Sequence, residues 1–376
     1  MKILHTDTDD ISNPLRGGQP VRTFEINSRI SQQHDVTVFT ASYPNSAKHV
    51  QRGNINYQRL GVTIPRFGLS SHLSFLACLP SAIKKTPHDL VVEEFTPPFG
   101  FCGLPYFTNQ PVVSMVQWFF FDDWQKRYKL PFEKIMRNIA KKNRYQHFIV
   151  QTNKMGDYFK DLMPQAQLYK IPCGISANAF NLNTTLGDYV LYLGRLDIQH
   201  KGLDFLLETW SRIHNSGINL PLVIVGAGSG EAYLTQKIAQ LGLLGCINLK
   251  GRVEVEGAEK QILLNGCRFL VMPSRQETFG ITALEAMAAS KPVVAFDIDH
   301  LNELLRPEWA RLCPLGDTEK FAQEIVTLWQ SPQLISHLGE QGFKKANDYQ
   351  WDVIAQNQLN IYQEIIATSH SKKGKK

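Results

Sequence analysis

Arg195 and Lys201 stand six residues apart in the run Gly194-Arg-Leu-Asp-Ile-Gln-His-Lys-Gly202, directly behind an apolar stretch at 189–193. Two cations in one loop at the end of a strand suit a diphosphate leaving group, whose developing charge needs more than one positive partner. A cation pair merely facing solvent would not explain why Lys201-Gly202 sits just ahead of the helical pattern Leu203, Phe205, Leu206, Leu207 and Trp210. Further on, Glu277 and Glu285 lie eight residues apart in Pro273-Ser-Arg-Gln-Glu-Thr-Phe-Gly-Ile-Thr-Ala-Leu-Glu285. Glu277 falls on a loop, where a carboxylate can accept the vicinal hydroxyls of a sugar. Thr282-Ala-Leu-Glu285 has the form of a capping box and so places Glu285 in a first helical turn.

Two glycine clusters accompany these charges. Gly17 and Gly18 follow the first candidate strand and precede a helical pattern from Pro20, so the backbone there can approach a phosphate closely. Gly226, Gly228 and Gly230 end an apolar run. The third glycine falls one position early for the dinucleotide fingerprint, which argues against an NAD site and leaves this loop as a wall of a nucleotide pocket.

These residues need strand ends to hold them. Short β-branched runs alternate with longer helical patterns, the signature of parallel sheets built from β-α-β units. Candidate strands fall at 1–5, 35–40, 89–93, 111–116 and 147–151, then at 189–193, 221–225, 246–250, 268–272 and 292–296. A polar, turn-rich stretch from Ile171 to Gly187 separates the two sets, and 376 residues suit two domains of ordinary size. The expected division is 1–178 and 179–349, with a last helix at about 350–368 and a disordered basic tail at 369–376.

With 43% hydrophobic and 20% charged residues, the composition is globular. The N-terminal apolar stretch is too short for a signal peptide and no run approaches the roughly 20 apolar residues of a membrane span, so a cytoplasmic protein is expected. Six scattered cysteines form no metal-spaced cluster, which points to reduced thiols and no bound metal. The net charge of +6 is uneven: the first 170 residues carry 21 Lys and Arg against 13 Asp and Glu. The densest basic stretch, 126–144, has Phe132, Ile135, Met136 and Ile139 at helical spacing. The narrow stripe alone favours packing into its own domain; the aromatic run Trp118-Phe-Phe-Phe121 points back to an anionic membrane or a lipid acceptor, with the protein peripheral on the cytoplasmic face. Nucleic acid is not an expected partner.

The ordered set of Gly-Gly, G-R-L-D with K-G beyond it, G-x-G, and the two glutamates followed by Ala286-Met-Ala resembles the retaining GT-B glycosyltransferases of family 4, also called group 1, over nearly the whole chain. The resemblance implies an α/β fold of two Rossmann-like domains facing each other across an interdomain cleft. The N-terminal domain would bind the acceptor and the C-terminal one the nucleotide sugar, with the terminal helix around Trp351 crossing back. It implies a metal-independent hexosyltransferase, without cofactor, moving sugar from a nucleotide-diphosphate donor to a glycan or lipid-linked acceptor in cell-surface polysaccharide or glycolipid synthesis. Arg195 and Lys201 would neutralise the departing diphosphate, Glu277 would hold the donor sugar and Glu285 the ribose. Gly17, Gly18, Gly194, Gly226, Arg252, Phe279, Gly280, Ile281 and Thr282 would line the donor site. Gln117 stands where many relatives carry a histidine facing the sugar, and the loop at 296–303 lacks the glycines common in the family. Glu94 and Asp122 are the nearby carboxylates that could position an acceptor hydroxyl, or serve as ordinary loop charges. The first departure leaves a second reading open, an inactive homologue that binds nucleotide sugar as a regulatory subunit.

Overall fold

The computed structural model describes residues 1–13, 19–64, 70–95, 103–117, 131, 134, 138, 145–180, 186–253 and 257–373. The chain divides into two compact units, 1–174 with 351–376 and 175–350. The division thus falls four residues before the expected 178, because Ile175 pairs with Gln350 and donates its amide to the Tyr349 carbonyl at 2.8 Å.

In the first unit the order is β1 (Lys2–Thr6), α1 (Gln19–Ile30), β2 (Asp35–Ala41), β3 (His49–Arg52), β4 (Ile55–Leu60), α2 (Ser70–Lys85), β5 (Leu90–Phe95), β6 (Val112–Val116), β7 (His147–Val150), α3 (Asn153–Leu162) and β8 (Gln167–Lys170). These strands form one sheet in the order β3-β4-β2-β1-β5-β6-β7-β8, parallel except for the β3–β4 hairpin. The reversal beside β1 makes a topological switch point, the place where loops at the carboxyl ends of two strands diverge and a ligand can enter. Buried all along β5 and β6, Leu90–Phe95 and Val112–Val116 behave as central parallel strands should.

The second unit holds β9 (Tyr189–Leu193), α4 (Ile198–Lys201, one turn), α5 (Leu203–Asn215), β10 (Leu222–Val225), α6 (Glu231–Gln240), β11 (Ile247–Lys250), α7 (Ala258–Gly266), β12 (Cys267–Met272), α8 (Ile281–Ala288), β13 (Val293–Asp297), β14 (Ala310–Pro314), α9 (Thr318–Trp329) and α10 (Pro332–Ala346). Its sheet runs β11-β10-β9-β12-β13-β14, all parallel, with the switch point beside β9.

A last helix, α11 (Trp351–Lys373), belongs to the first unit. Trp351, Ile354, Ala355, Leu359, Tyr362 and Ile365 complete an apolar cluster with Ile3, Ile26, Ile30 and Val92. Arg22 of α1, 2% exposed, donates through both terminal nitrogens to the Gln358 side-chain oxygen at 2.9 Å. Gly174 is needed where the chain leaves: a Cβ there would sit 2.4 Å from the Trp351 ring. The helix extends through Lys373, so residues 369–373 of the expected disordered tail are helical. None of the described helices is long and apolar enough to cross a membrane.

Because Trp351 is 5% exposed within this cluster, Trp351→Ala should destabilise the protein by about 3–5 kcal/mol, the range for a large aromatic lost from a packed core. Urea unfolding followed by far-UV circular dichroism checks it; an unchanged midpoint would mean that α11 adds nothing to this core.

Candidate active site

In the second unit the loops leaving β9 and β12 are locked together. Gly202 caps α4 in a left-handed conformation (φ 61°), and a Cβ at that position would lie 1.9 Å from the Pro273 carbonyl oxygen. Only glycine allows that approach. The His200 carbonyl accepts from the amides of Arg275 and Gln276 at 2.9 and 3.1 Å. Arg275 forms a double ion pair with Asp204 at 2.7 Å while its guanidinium lies 3.6 Å from the Phe205 ring centroid. This framework brings the Lys201 ammonium to 2.6 Å from Glu277 Oε1, and the same oxygen accepts from the Ser274 hydroxyl at 2.8 Å.

Arg195 stands at the other end of the loop, with its guanidinium 3.9 Å from Asp197 and its side chain 72% exposed. Asp197 caps α4, accepting from the His200 amide at 3.0 Å and contacting His200 Nδ1 at 2.8 Å. Partial burial alone would raise the Asp197 carboxyl, but these His200 bonds and the Arg195 charge hold it below its ordinary range. Tyr192 fixes the loop from beneath, donating to the Arg195 carbonyl at 2.8 Å; burial, then the Glu277 charge, pushes its phenol well above the usual tyrosine range.

Gly226 is explained within the same unit. A Cβ on it would fall 1.9 Å from the Gly194 carbonyl oxygen, so this glycine lets the loop after β10 press against the loop after β9. Gly280 takes φ 88° and opens α8. Helix α8 therefore starts at Ile281, one residue before Thr282, and no side chain caps it; the expected capping box does not form. Glu285 is instead paired with Lys260 of α7, Nζ to Oε1 at 2.7 Å, both side chains 14% exposed. The amides of Ile281 and Thr282 stand in the first turn, ahead of the bonds that Ala283 and Leu284 make to the Gly280 carbonyl. Phe279 is buried and packs on Tyr349, ring centroids 5.9 Å apart. Arg252 is exposed just past β11 and shares no described hydrogen bond or ion pair with the other candidates.

The first unit carries a separate buried polar cluster at the carboxyl ends of β1, β5 and β6. Glu94, 4% exposed, meets His5 Nε2 at 3.1 Å through one oxygen and accepts from the Gln117 amide at 2.7 Å through the other. His5 Nδ1 pairs with Asn27 at 2.8 Å. Asp7 bonds the Thr23 hydroxyl at 2.7 Å and accepts from the Gln19 side-chain amide at 2.8 Å. Thr23 also lies 3.5 Å from Glu94, so one hydroxyl bridges two carboxyl groups. Burial first, and the Glu94 charge second, push the Asp7 carboxyl up to about 7.

The structure thus brings Lys201 to Glu277, Gly194 to Gly226 and Glu94 to Gln117. Gly17, Gly18 and Asp122 lie outside the described residues, as does the 126–144 stretch apart from Pro131, Lys134 and Asn138. Sequence reasoning missed Asp7, Ser274 and Lys260. Asp7 had a usable signal, since it directly follows β1 at the switch point. Lys260 had none, being 25 residues from its partner on a different helix. Among the described residues, no group of three His, Cys, Asp or Glu side chains has the arrangement of a metal site.

Residues 16–179 match the family described as Glycosyltransferase Family 4, and residues 187–331 match Glycosyl transferases group 1. Over 211 residues the chain is 32% identical to the phosphatidyl-myo-inositol mannosyltransferase of Mycobacterium leprae, covering 54% of this chain and 55% of that one. It is 26% identical over 266 residues to the MMP alpha-(1->4)-mannosyltransferase of Mycolicibacterium hassiacum, covering 69% and 60%. The matches therefore span between about half and three-fifths of these curated relatives. Among solved structures, sucrose-phosphate synthase from Thermosynechococcus elongatus superposes with a TM-score of 0.81 at 19% identity, covering 98% of this chain and 99% of that one. That likeness shows the fold.

The Asp7 carboxyl generates a pH prediction. Its affinity for protons is higher folded (about 7) than in its ordinary state (3.8), so the native state holds the extra proton between those values. Stability from this group is present at low pH and is lost as pH rises through about 7. Asp7→Asn, which keeps the shape without the charge, should match the parent near pH 4 and exceed it by a few kcal/mol at pH 8. Urea titrations at the two pH values measure this; equal stability at pH 8 would show that Asp7 is not held protonated.

Proposed function

The chain belongs to the family 4 glycosyltransferases and has the GT-B fold, and from that premise we propose that it moves a hexose, with retention of anomeric configuration, from a nucleotide-diphosphate sugar to a glycan or lipid-linked acceptor. The observation that carries this reading is the Lys201–Glu277–Ser274 constellation at the switch point beside β9, with Arg195 exposed on the same loop. The ammonium and the carboxylate neutralise each other. A diphosphate arriving at the loop gives Lys201 a second anionic partner and draws in Arg195, while Glu277 accepts hydroxyls of the donor sugar. As the sugar–phosphate bond breaks, both cations stabilise the charge that accumulates on the leaving oxygen. That same phosphate oxygen takes the acceptor's proton on the face the nucleotide leaves, so the anomeric configuration is retained without a protein base. The first-turn amides of Ile281 and Thr282 add fixed donors to the β-phosphate.

Both curated relatives are named for mannosyl transfer, one onto phosphatidyl-myo-inositol. Mannose is therefore the first donor sugar to try, and a lipid-linked acceptor of cell-surface glycolipid or polysaccharide synthesis the first acceptor class. The first unit is assigned the acceptor, with the Gln117 carbonyl oxygen as its polar contact; the Glu94 side chain, 0% exposed, serves by holding the Gln117 amide. The basic 126–144 stretch is assigned to an anionic lipid surface on the cytoplasmic side, each cation near the surface contributing about 1 kcal/mol.

Sugar transfer from UDP-, GDP- and ADP-hexoses to lipid extracts and glycans tests the reading. Arg195→Ala and Lys201→Ala should each lower kcat by about 100- to 1,000-fold with unchanged far-UV spectra. Near-parental turnover in both would sink the site assignment, and binding of a nucleotide sugar with no transfer to any acceptor would favour the regulatory homologue. The cations occupy the role a divalent metal plays in other transferases, so excess EDTA should leave turnover within about twofold; loss of activity that magnesium or manganese restores would overturn the metal-free mechanism.

A further inference from the structure

Glu285 sits on the fifth position of α8 and meets an ammonium from outside its own helix: Lys260, the third residue of α7, 2.7 Å away. Neither lies near the other in sequence, and each side chain is 14% exposed. Withdrawing two charges from water is costly, and apolar residues of similar size would tie α7 to α8 at lower cost. An ion pair kept in such a place has a use in fixing the direction of one of its members. The Glu285 side chain has three rotatable bonds and its carboxylate offers about four acceptor directions. A contact of 2.7 Å holds Oε1 and so restricts the directions in which the carboxylate can turn.

We infer that Lys260 is a positioning residue for recognition of the nucleotide's ribose: it holds the Glu285 carboxylate in the orientation that takes the 2′- and 3′-hydroxyls. This rests on the reading of Glu285 as the ribose acceptor. Lys260 also supplies a local counter-charge, so that a doubly negative diphosphate can approach a site that already contains two carboxylates, Glu277 and Glu285.

The test compares binding of UDP, GDP and ADP with that of their 2′,3′-dideoxy analogues by isothermal titration calorimetry on the full chain. For the parent, the ribonucleotide that binds should do so about tenfold or more tightly than its dideoxy analogue, the value of a hydrogen bond to a charged group. Lys260→Met should bring that ratio to within about threefold, mainly by weakening the ribonucleotide, and Lys260→Arg should preserve most of it. A helix tie alone would weaken both nucleotides equally, so an unchanged ratio in Lys260→Met overturns the inference. Should Lys260→Met fail to fold, the charge-neutral pair Lys260→Met with Glu285→Gln is compared with Glu285→Gln alone. The two should bind alike, because Lys260 acts only through Glu285; further weakening would mean that Lys260 touches the nucleotide directly and would also overturn the inference. The underlying reading fails separately, if Glu285→Gln keeps the parental ratio or if none of the three nucleotides binds the parent.

Discussion

Much of the second unit's chemistry depends on one contact, the close approach of the Pro273 carbonyl to Gly202. It draws the loops after β9 and β12 together, and the ammonium of Lys201 then reaches Glu277 across the gap. Any side chain at residue 202 would push Pro273 away and separate the two charges. The glycine is thus as much a part of this arrangement as the charged residues. Gly226 acts the same way between the loops after β9 and β10. Close backbone packing fixes where the cations begin, and the flexible ends of Arg195 and Lys201 do the rest.

The two units use one topological device for different tasks. Each sheet reverses its strand order beside its first strand, and each gathers polar residues at the carboxyl ends there. In the second unit these residues are the exposed Arg195 beside Asp197 and the Lys201–Glu277 ion pair. In the first they form a largely buried network of His5, Asp7, Thr23, Asn27, Glu94 and Gln117. The Gln117 amide nitrogen is committed to Glu94, which leaves the carbonyl oxygen as the group this side chain can offer.

How much of this was legible in the sequence differs by element. All ten expected strands are present; nine of them are interior strands, apolar enough on both faces to stand out as runs, and β11 is an edge strand. The four that escaped notice are β3, β4, β8 and β14. Three of these are edge strands, and β3 and β8 have little burial, with sequences such as His49-Val-Gln-Arg52 and Gln167-Leu-Tyr-Lys170 that look like loops. The Lys201 and Glu277 motifs were legible because the chemistry concentrates in short segments. Glu285 was placed in a capping box since Thr282 fits the pattern, whereas Gly280 begins the helix by taking a backbone conformation open to it and closed to most residues. Lys260 could not be found by spacing, for its partner is brought to it only by the packing of α7 and α8 around β12.

The return of α11 to the first unit has a consequence for how the molecule is made. The second unit is one continuous stretch, 175–350, and can close its core as soon as that stretch has left the ribosome. The first unit is synthesised earlier yet lacks Trp351, Ile354, Leu359, Tyr362 and Ile365, one wall of its core, until the second unit has been translated as well. Order of synthesis and order of completion are therefore reversed. A chain broken off before residue 351 would carry a finished second unit joined to a first unit with an open apolar face, so translation that stops early yields a species disposed to aggregate or to be degraded.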